Sequence, residues 1–193
     1  MSEFVRIERP RPQVALVTLN RPERMNAMAF DVMVPLRETL SSIGNDVRVV
    51  VLTGEGRAFC SGADLVDAGY PPGIDGLQLP SIARRSMRLL EDVVTTLREL
   101  HQPVIGAING AAIGGGFCLS LACDIRVAST NAYFRAAGIN NGLTASELGL
   151  SWLLPRAIGA SRPAVLILPG RDVDASDAAA PRLLPQPVPT ATL

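Results

Sequence analysis

Apolar and polar residues alternate through "FVRIERP" and again through "QVALVTLN", a period of two that predicts paired strands. The alternation breaks at "RPERMNAM", where Asn26 is placed to cap a helix running through "AFDVMVPLRETLSSI". Pro35 lies inside that helix and should kink or break it. "VRVVVLTG", from Val47 to Gly54, is a continuous β-branched run, the pattern of a strand buried on both faces. The glycine-rich "GEGRAFCSGADL" follows it, and residues 69–80, rich in proline and glycine, predict a mobile loop or lid. Over residues 82–100, Ile82, Leu89, Leu90, Val93, Val94, Leu97 and Leu100 fall on one helical face. "PVIGAING" reads as a second buried strand, leading into a helix over "GAAIGGGFCLSLACD". "DIRVAS" reads as a third strand, and "ASELGLSWLLPRAIG" as a helix with Ser146 as its cap. No repeat appears at the periods of solenoids or propellers.

The pattern stops at "PRLLPQPVPTATL", which has four prolines in thirteen residues. Such a segment forms neither a helix nor a central strand. Residues 178–193 are therefore expected to be an irregular, extended or disordered tail behind a core of residues 1–177. Composition narrows the picture further. At 48% hydrophobic residues, a chain of this length can bury a substantial core. Eighteen basic residues balance eighteen acidic ones, so no broad positive field points to nucleic acid or to an anionic membrane. Every basic residue is arginine, which excludes lysine Schiff-base chemistry and a GxxxxGK[ST] phosphate loop. No apolar run approaches the roughly 18 residues of a membrane span, and "MSEFVRIERP" has no signal-peptide core. Cys60, Cys118 and Cys123 form no CxxC, so neither a disulfide framework nor a metal site is expected, and a cytoplasmic location is.

The chemistry concentrates in two stretches of one design, "VVVLTGEGRAFCSGADL" and "VIGAINGAAIGGGF". Each is a buried strand, then glycines, then a helix start that exposes unpaired backbone N–H groups. Two such donors converging on one point make an oxyanion hole. Tight strand–helix packing alone is the other reading of the glycines. Neither stretch holds the GxGxxG of a dinucleotide site.

With "NRPERMNAM" ahead of them, "RAFCSGADL" and "INGAAIGGGFCLSLACDIRVAS" resemble the enoyl-CoA hydratase/isomerase, or crotonase, superfamily. The likeness continues through "GLTASELGLSWLLPRAIG" to "GRDVDAS", covering about residues 4–177. It implies an α/β fold, a crotonase-like spiral of ββα units with the C-terminal helical region largely missing. By position, the backbone N–H groups of Ala63 and Gly115 would grip an acyl-CoA thioester carbonyl. Arg24, Met25, Ala27, Ser61, Asp64 and Leu65 match segments that hold CoA, which arrives as part of the substrate and not as a separate cofactor. Arg24 could pair with a phosphate or be a solvated surface residue, and Asp64 could be only a helix cap. The resemblance also implies a homo-oligomer based on trimers.

Hydratases of this family use two glutamates, at positions that here hold Cys118 and Gly138. Cys118 is expected to be a small apolar packing residue. Glu147 resembles the extra catalytic aspartate of dienoyl-CoA isomerases and is the expected acid/base, the competing reading being a complement to a helix N-terminus. His101, the sole histidine, is expected at a helix end without a catalytic role. Residues from about 178 onward are expected to replace the family's closing helices, as a shifted reading frame would, leaving apolar surface for a partner or a weakened enzyme. The expected function is enoyl-CoA hydratase/isomerase chemistry. The alternatives are a double-bond isomerase using Glu147, or a non-catalytic acyl-CoA-binding or assembly subunit.

Overall fold

Two strands followed by a helix form a unit that recurs four times. The units are β1 (Val5–Arg11), β2 (Val14–Leu19) and α1 (Phe30–Ser41), then β3 (Val49–Gly54), β4 (Ala58–Cys60) and α2 (Leu79–Glu99). They continue with β5 (Val104–Ile108), β6 (Ala111–Ile113) and α3 (Gly115–Ala122), then β7 (Ile125–Ala128), β8 (Tyr133–Arg135) and α4 (Leu150–Ile158). α5 (Pro163–Ile167), β9 (Val173–Asp174) and α6 (Ala175–Ala179) follow. The structure, a computed structural model, describes residues 3–144, 147–179, 183–185 and 187–193.

The strands sort into two sheets, a five-stranded one ordered β1-β2-β3-β5-β7 and a four-stranded one ordered β4-β6-β8-β9. β1 and β2 are antiparallel, as a short turn allows, while β2, β3, β5 and β7 pair in parallel, as do β4, β6 and β8. Parallel neighbours need a long crossover. The first unit crosses through α1 alone, and each later unit sends its second strand into the other sheet and returns through its helix. This is the spiral of ββα units that the resemblance implies. β3 lies centrally, with Val50, Leu52 and Gly54 buried and the alternate residues half-buried. Leu19, Met33, Leu36, Leu40, Phe59 and Ile108 are fully buried beneath these elements. β4, β6 and β8 have three residues each, too few to show a period.

Three local expectations need correction. α1 starts at Phe30 after Ala29, not at an Asn26 cap. Asn26 instead takes φ +55° and is fully buried. Its Oδ1 accepts the Arg21 N–H at 2.9 Å, and its Nδ2 donates to the carbonyls of Glu55 at 3.0 Å and Ala58 at 2.8 Å. It thereby fastens the loop after β2 to the turn between β3 and β4. α1 also runs unbroken through Pro35. The carbonyl that Pro35 deprives of an N–H belongs to Asp31, which is exposed and therefore open to solvation. The segment "ASELGLSWLLPRAIG" is not one helix: a 3-10 turn, Glu147–Gly149, precedes α4, and the proposed cap Ser146 lies outside the described residues.

α2 begins at Leu79, inside the segment expected to be a loop, with Pro80 in its first turn. Only Val93, Val94 and Leu97 of this helix are buried. Near the C-terminus, Leu183 and Leu184 are buried, and Arg126 donates to the carbonyls of Leu183 at 2.9 Å and Cys123 at 2.8 Å. Val188 pairs in parallel with Ser129. Its N–H reaches Ala128 O and its carbonyl accepts from Thr130, both at 2.9 Å. Val188 stands between Pro187 and Pro189, so the segment offers this edge the one intact peptide donor it has there.

Replacing Asn26 tests the fastening of the loop. Asn26→Ala leaves buried backbone groups unpaired and should lower the unfolding free energy by about 3 kcal/mol. Asn26→Gly, which accepts positive φ, should recover only about 1 kcal/mol of that. Urea titrations of the three proteins measure both differences.

Candidate active site

The three glycines at the start of α3 are each required, for different reasons. Gly114 takes φ +52° and ψ −116°, a conformation that side chains oppose. A Cβ on Gly115 would stand 2.1 Å from Met28 Sδ and 3.0 Å from Leu148 Cδ1. A Cβ on Gly116 would stand 2.0 Å from the Cys60 carbonyl oxygen. The first turn of α3 is thus pressed against the backbone of β4.

The chain leaving β4 passes beside the same point. Gly62 has φ +85°, and a Cβ there would lie 2.6 Å from Ile113 O and 3.3 Å from the Gly115 nitrogen. Ala63, one peptide bond on, forms a parallel bridge with Met28. The Met28 N–H donates to Gly62 O at 2.7 Å, and the Asp64 N–H donates to Met28 O at 3.1 Å. Successive N–H groups of an extended segment face opposite sides, so the Ala63 N–H faces away from Met28. Gly115 is the first residue of α3, whose leading N–H groups lack partners within the helix and carry the positive end of its dipole. The irregular turn that leaves β4 and the strand-to-helix turn that opens α3 are therefore joined at a single place, although the sequence pattern predicts a helix start in both.

A cleft of about 290 Å³ opens next to Ala63. It is lined by Arg24, Met25, Ala27, Ser61, Ala63, Asp64 and Leu65, together with Glu23, Arg57 and Val66. All six residues expected to contact CoA are thus brought to one place, while Gly115 and Glu147 are not among its lining residues. A backbone ladder holds its two walls together: the Ser61 N–H reaches Met25 O at 3.1 Å, beside the Met28 bonds. Sequence reasoning missed Arg57, whose signal was its place at the head of "RAFCSGADL".

Asp64 organises the charge of the cleft. Its side chain is 2% exposed and takes both prongs of the Arg24 fork, with Arg24 Nε at 3.2 Å and Arg24 Nη2 closer still. Arg21 Nη1 reaches it at 3.2 Å, and the N–H groups of Val66 and Asp67 at 3.0 and 2.9 Å. Asp64 therefore does cap backbone donors, but those of an irregular turn, and no helix starts there. Arg24 is neither a freely solvated side chain nor an unengaged one. The Arg24 guanidinium, and then these N–H groups, hold the Asp64 carboxyl well below the usual carboxylate range, against the opposing effect of burial.

The other candidates separate by place. Cys118 is buried on α3, one turn beyond Gly115. Gly138 lies in a 3-10 turn, Ala137–Asn141, whose Ala137 Cβ is 3.8 Å from a Cβ built on Gly114. The two positions that the family resemblance pairs with glutamates thus lie near the glycine triplet and carry no carboxylate. The turn Glu147–Gly149 also reaches α3, as the Leu148 contact shows, while the Glu147 side chain lies outside the described residues. Burial pushes the thiols of Cys60 and Cys123 up to about 12. His101 follows α2, exposed, and lines a separate groove with Ile43 and Glu99. Among the described residues, no three of His, Cys, Asp and Glu are grouped to hold a metal, and no helix is long and apolar enough to cross a membrane.

The backbone leaving β4 and the first amide of α3 are thus packed together at one place. The chain belongs to the enoyl-CoA hydratase/isomerase family, whose model matches residues 10–193. It is 64% identical over 188 residues to the probable enoyl-CoA hydratase echA12 of Mycobacterium bovis, covering 96% of this chain. It spans 66% of that relative's length. Its fold matches a probable enoyl-CoA hydratase/isomerase of Mycobacterium abscessus at TM-score 0.92 and 64% identity, over 98% of this chain and 71% of the other. A monofunctional enoyl-CoA isomerase of M. smegmatis matches at TM-score 0.81 and 56% identity, over 99% and 79% of the two chains. A Thermobifida fusca homologue solved in complex with CoA matches at TM-score 0.86 and 32% identity, over 98% and 74%.

The Asp64 cluster gives stability a definite pH dependence. A carboxyl depressed in the folded state stabilises it fully above the unfolded value of about 3.9, and this contribution fades as pH falls from there toward the folded value. Asp64→Asn should therefore be less stable than the wild type at pH 7, with the gap narrowing once pH drops below about 4. Urea midpoints between pH 7 and pH 3 check the trend, and a gap independent of pH would contradict it.

Proposed function

We propose that this chain is an acyl-CoA enzyme of the hydratase/isomerase type, stabilising a thioester enolate between the N–H groups of Ala63 and Gly115. The observation that supports the reading is the close approach of Gly62, the residue before Ala63, to the first amide of α3: a Cβ on Gly62 would stand 3.3 Å from the Gly115 nitrogen. A thioester carbonyl gains negative charge as its enolate forms. A preorganised donor aimed at that oxygen is worth about 3 kcal/mol of barrier, because it needs no reorientation when the charge develops. The α3 dipole acts in the same direction.

The CoA portion would lie in the cleft lined by Met25, Ala27, Ser61 and Leu65, with Arg57 placed to meet its phosphates. Arg24 would shape this wall through Asp64. The CoA complex of the T. fusca homologue and the matched motifs support this reading. With Cys118 and Gly138 in place of carboxylates, moving a proton between carbons is favoured over adding water, and Glu147 is the residue proposed to carry that proton. The M. smegmatis isomerase favours the same choice. Three buried free cysteines fit a cytoplasmic setting, and a trimer-based assembly is the form proposed.

Thermal unfolding with CoA and acyl-CoA tests binding. At a hundredfold excess over the dissociation constant, ligand should add about 2.7 kcal/mol, which for a chain of this size raises Tm by roughly 5–10 °C. Glu147→Gln should lower kcat for 3-enoyl- or dienoyl-CoA isomerisation by about 100-fold or more while leaving Tm shifts intact. Unchanged turnover would remove Glu147 from the mechanism. Ligand-induced shifts without turnover in either protein would make the chain a binder.

A further inference from the structure

Leu148 combines three properties that seldom occur together. It takes φ +52°, a left-handed conformation disfavoured for branched side chains, and Gly149 follows at φ +77°. It is 8% exposed. Its Cδ1 also lies only 3.0 Å from where a Cβ of Gly115 would be. A backbone outlier held in place by burial beside a reacting position points to function.

Met28 meets the same point from the other side. Its backbone pairs with Ala63, its side chain is buried, and its Sδ lies 2.1 Å from the position of a Gly115 Cβ. Met28 therefore touches both halves of the proposed oxyanion hole, and Leu148 closes over the second half. A carbonyl oxygen bonded to the Gly115 N–H sits about 3 Å from that nitrogen. Acyl carbons that continue toward the Cα side of Gly115 would meet Met28 Sδ and Leu148 Cδ1. On the acyl-CoA reading above, the cleft beside Ala63 takes the CoA.

Resting on the acyl-CoA reading above, we propose that Leu148 and Met28 form the wall that decides which acyl groups enter. The wall admits chains that are slim at their first carbons and rejects those branched at C2. Methionine, unbranched and adaptable, follows the contour of a straight chain. Leucine, held by its turn, presents a fixed methyl that an extra branch must displace.

Calorimetric titration of the wild type with CoA, butyryl-CoA and 2-methylbutyryl-CoA, none of which needs turnover, tests the wall. The straight acyl group should bind about tenfold tighter than the branched one, the discrimination a single carbon gives in a fitted apolar pocket. Leu148→Ala should shrink that ratio to about twofold while affinity for CoA itself stays unchanged. Leu148→Gly, which suits the left-handed backbone, should do the same and provides a second test if the alanine variant folds poorly. Equal affinity for both acyl groups in the wild type, or a ratio unmoved in the variants with CoA affinity intact, overturns the wall alone. Failure of the wild type to bind CoA at all overturns the acyl-CoA reading and the wall with it.

Discussion

Backbone laid directly on backbone is the constraint on which this structure depends. A Cβ on Gly116 would lie 2.0 Å from Cys60 O, one on Gly110 2.0 Å from Arg57 O, and one on Gly54 2.4 Å from Ala58 O. These glycines bring the ends of β3, β5 and the start of α3 against the short strand β4 and the residues before it. With that approach, the amide that opens α3 arrives beside the peptide that leaves β4. Any side chain at these points would separate the sheets where they meet and part the two donors. The same closeness explains why a three-residue strand can hold its place, since close-packed neighbours supply what its own few hydrogen bonds do not.

Charge is arranged around this frame with similar economy. Asp64 follows the proposed donor Ala63 directly, and through Arg21, Arg24 and two backbone amides it fixes the loop that carries it. A carboxylate so fully engaged is acidic because its partners favour the ionised form. It also lowers the positive field that Arg24 would otherwise present to an anionic ligand, which leaves Arg57 as the more available cation of the cleft. The loop is therefore held by ion pairing, while the proposed oxyanion site relies on uncharged amides.

Sequence reasoning reached the larger features for identifiable reasons. β1, β2 and β3 show their period over six or seven residues, and the glycine triplet declares the strand-to-helix turn at α3, whereas the stretch after β4 enters an irregular loop before α2 at Leu79. The family resemblance carried the spiral and the grouping of Arg24 through Leu65, because motif spacing preserves what periodicity cannot reveal. The second sheet escaped notice, since β4, β6 and β8 are three residues long. Asn26 misled because an asparagine suited to capping also suits positive φ, and only tertiary partners distinguish the two. The burial of Leu183 and Leu184 was hidden by the surrounding prolines, which exclude regular elements without excluding docking.

Strand order in both sheets has a further consequence. From β2 onward each sheet grows at one side in the order of the chain, with β3, β5 and β7 added in turn to one and β6, β8 and β9 to the other. Every new unit meets edges that earlier residues have already formed, so no strand must insert between two that precede it. A polypeptide emerging from the ribosome N-terminus first can assemble layer upon layer, each layer covering the exposed strand edge left by the one before. Synthesis and folding then run in the same direction.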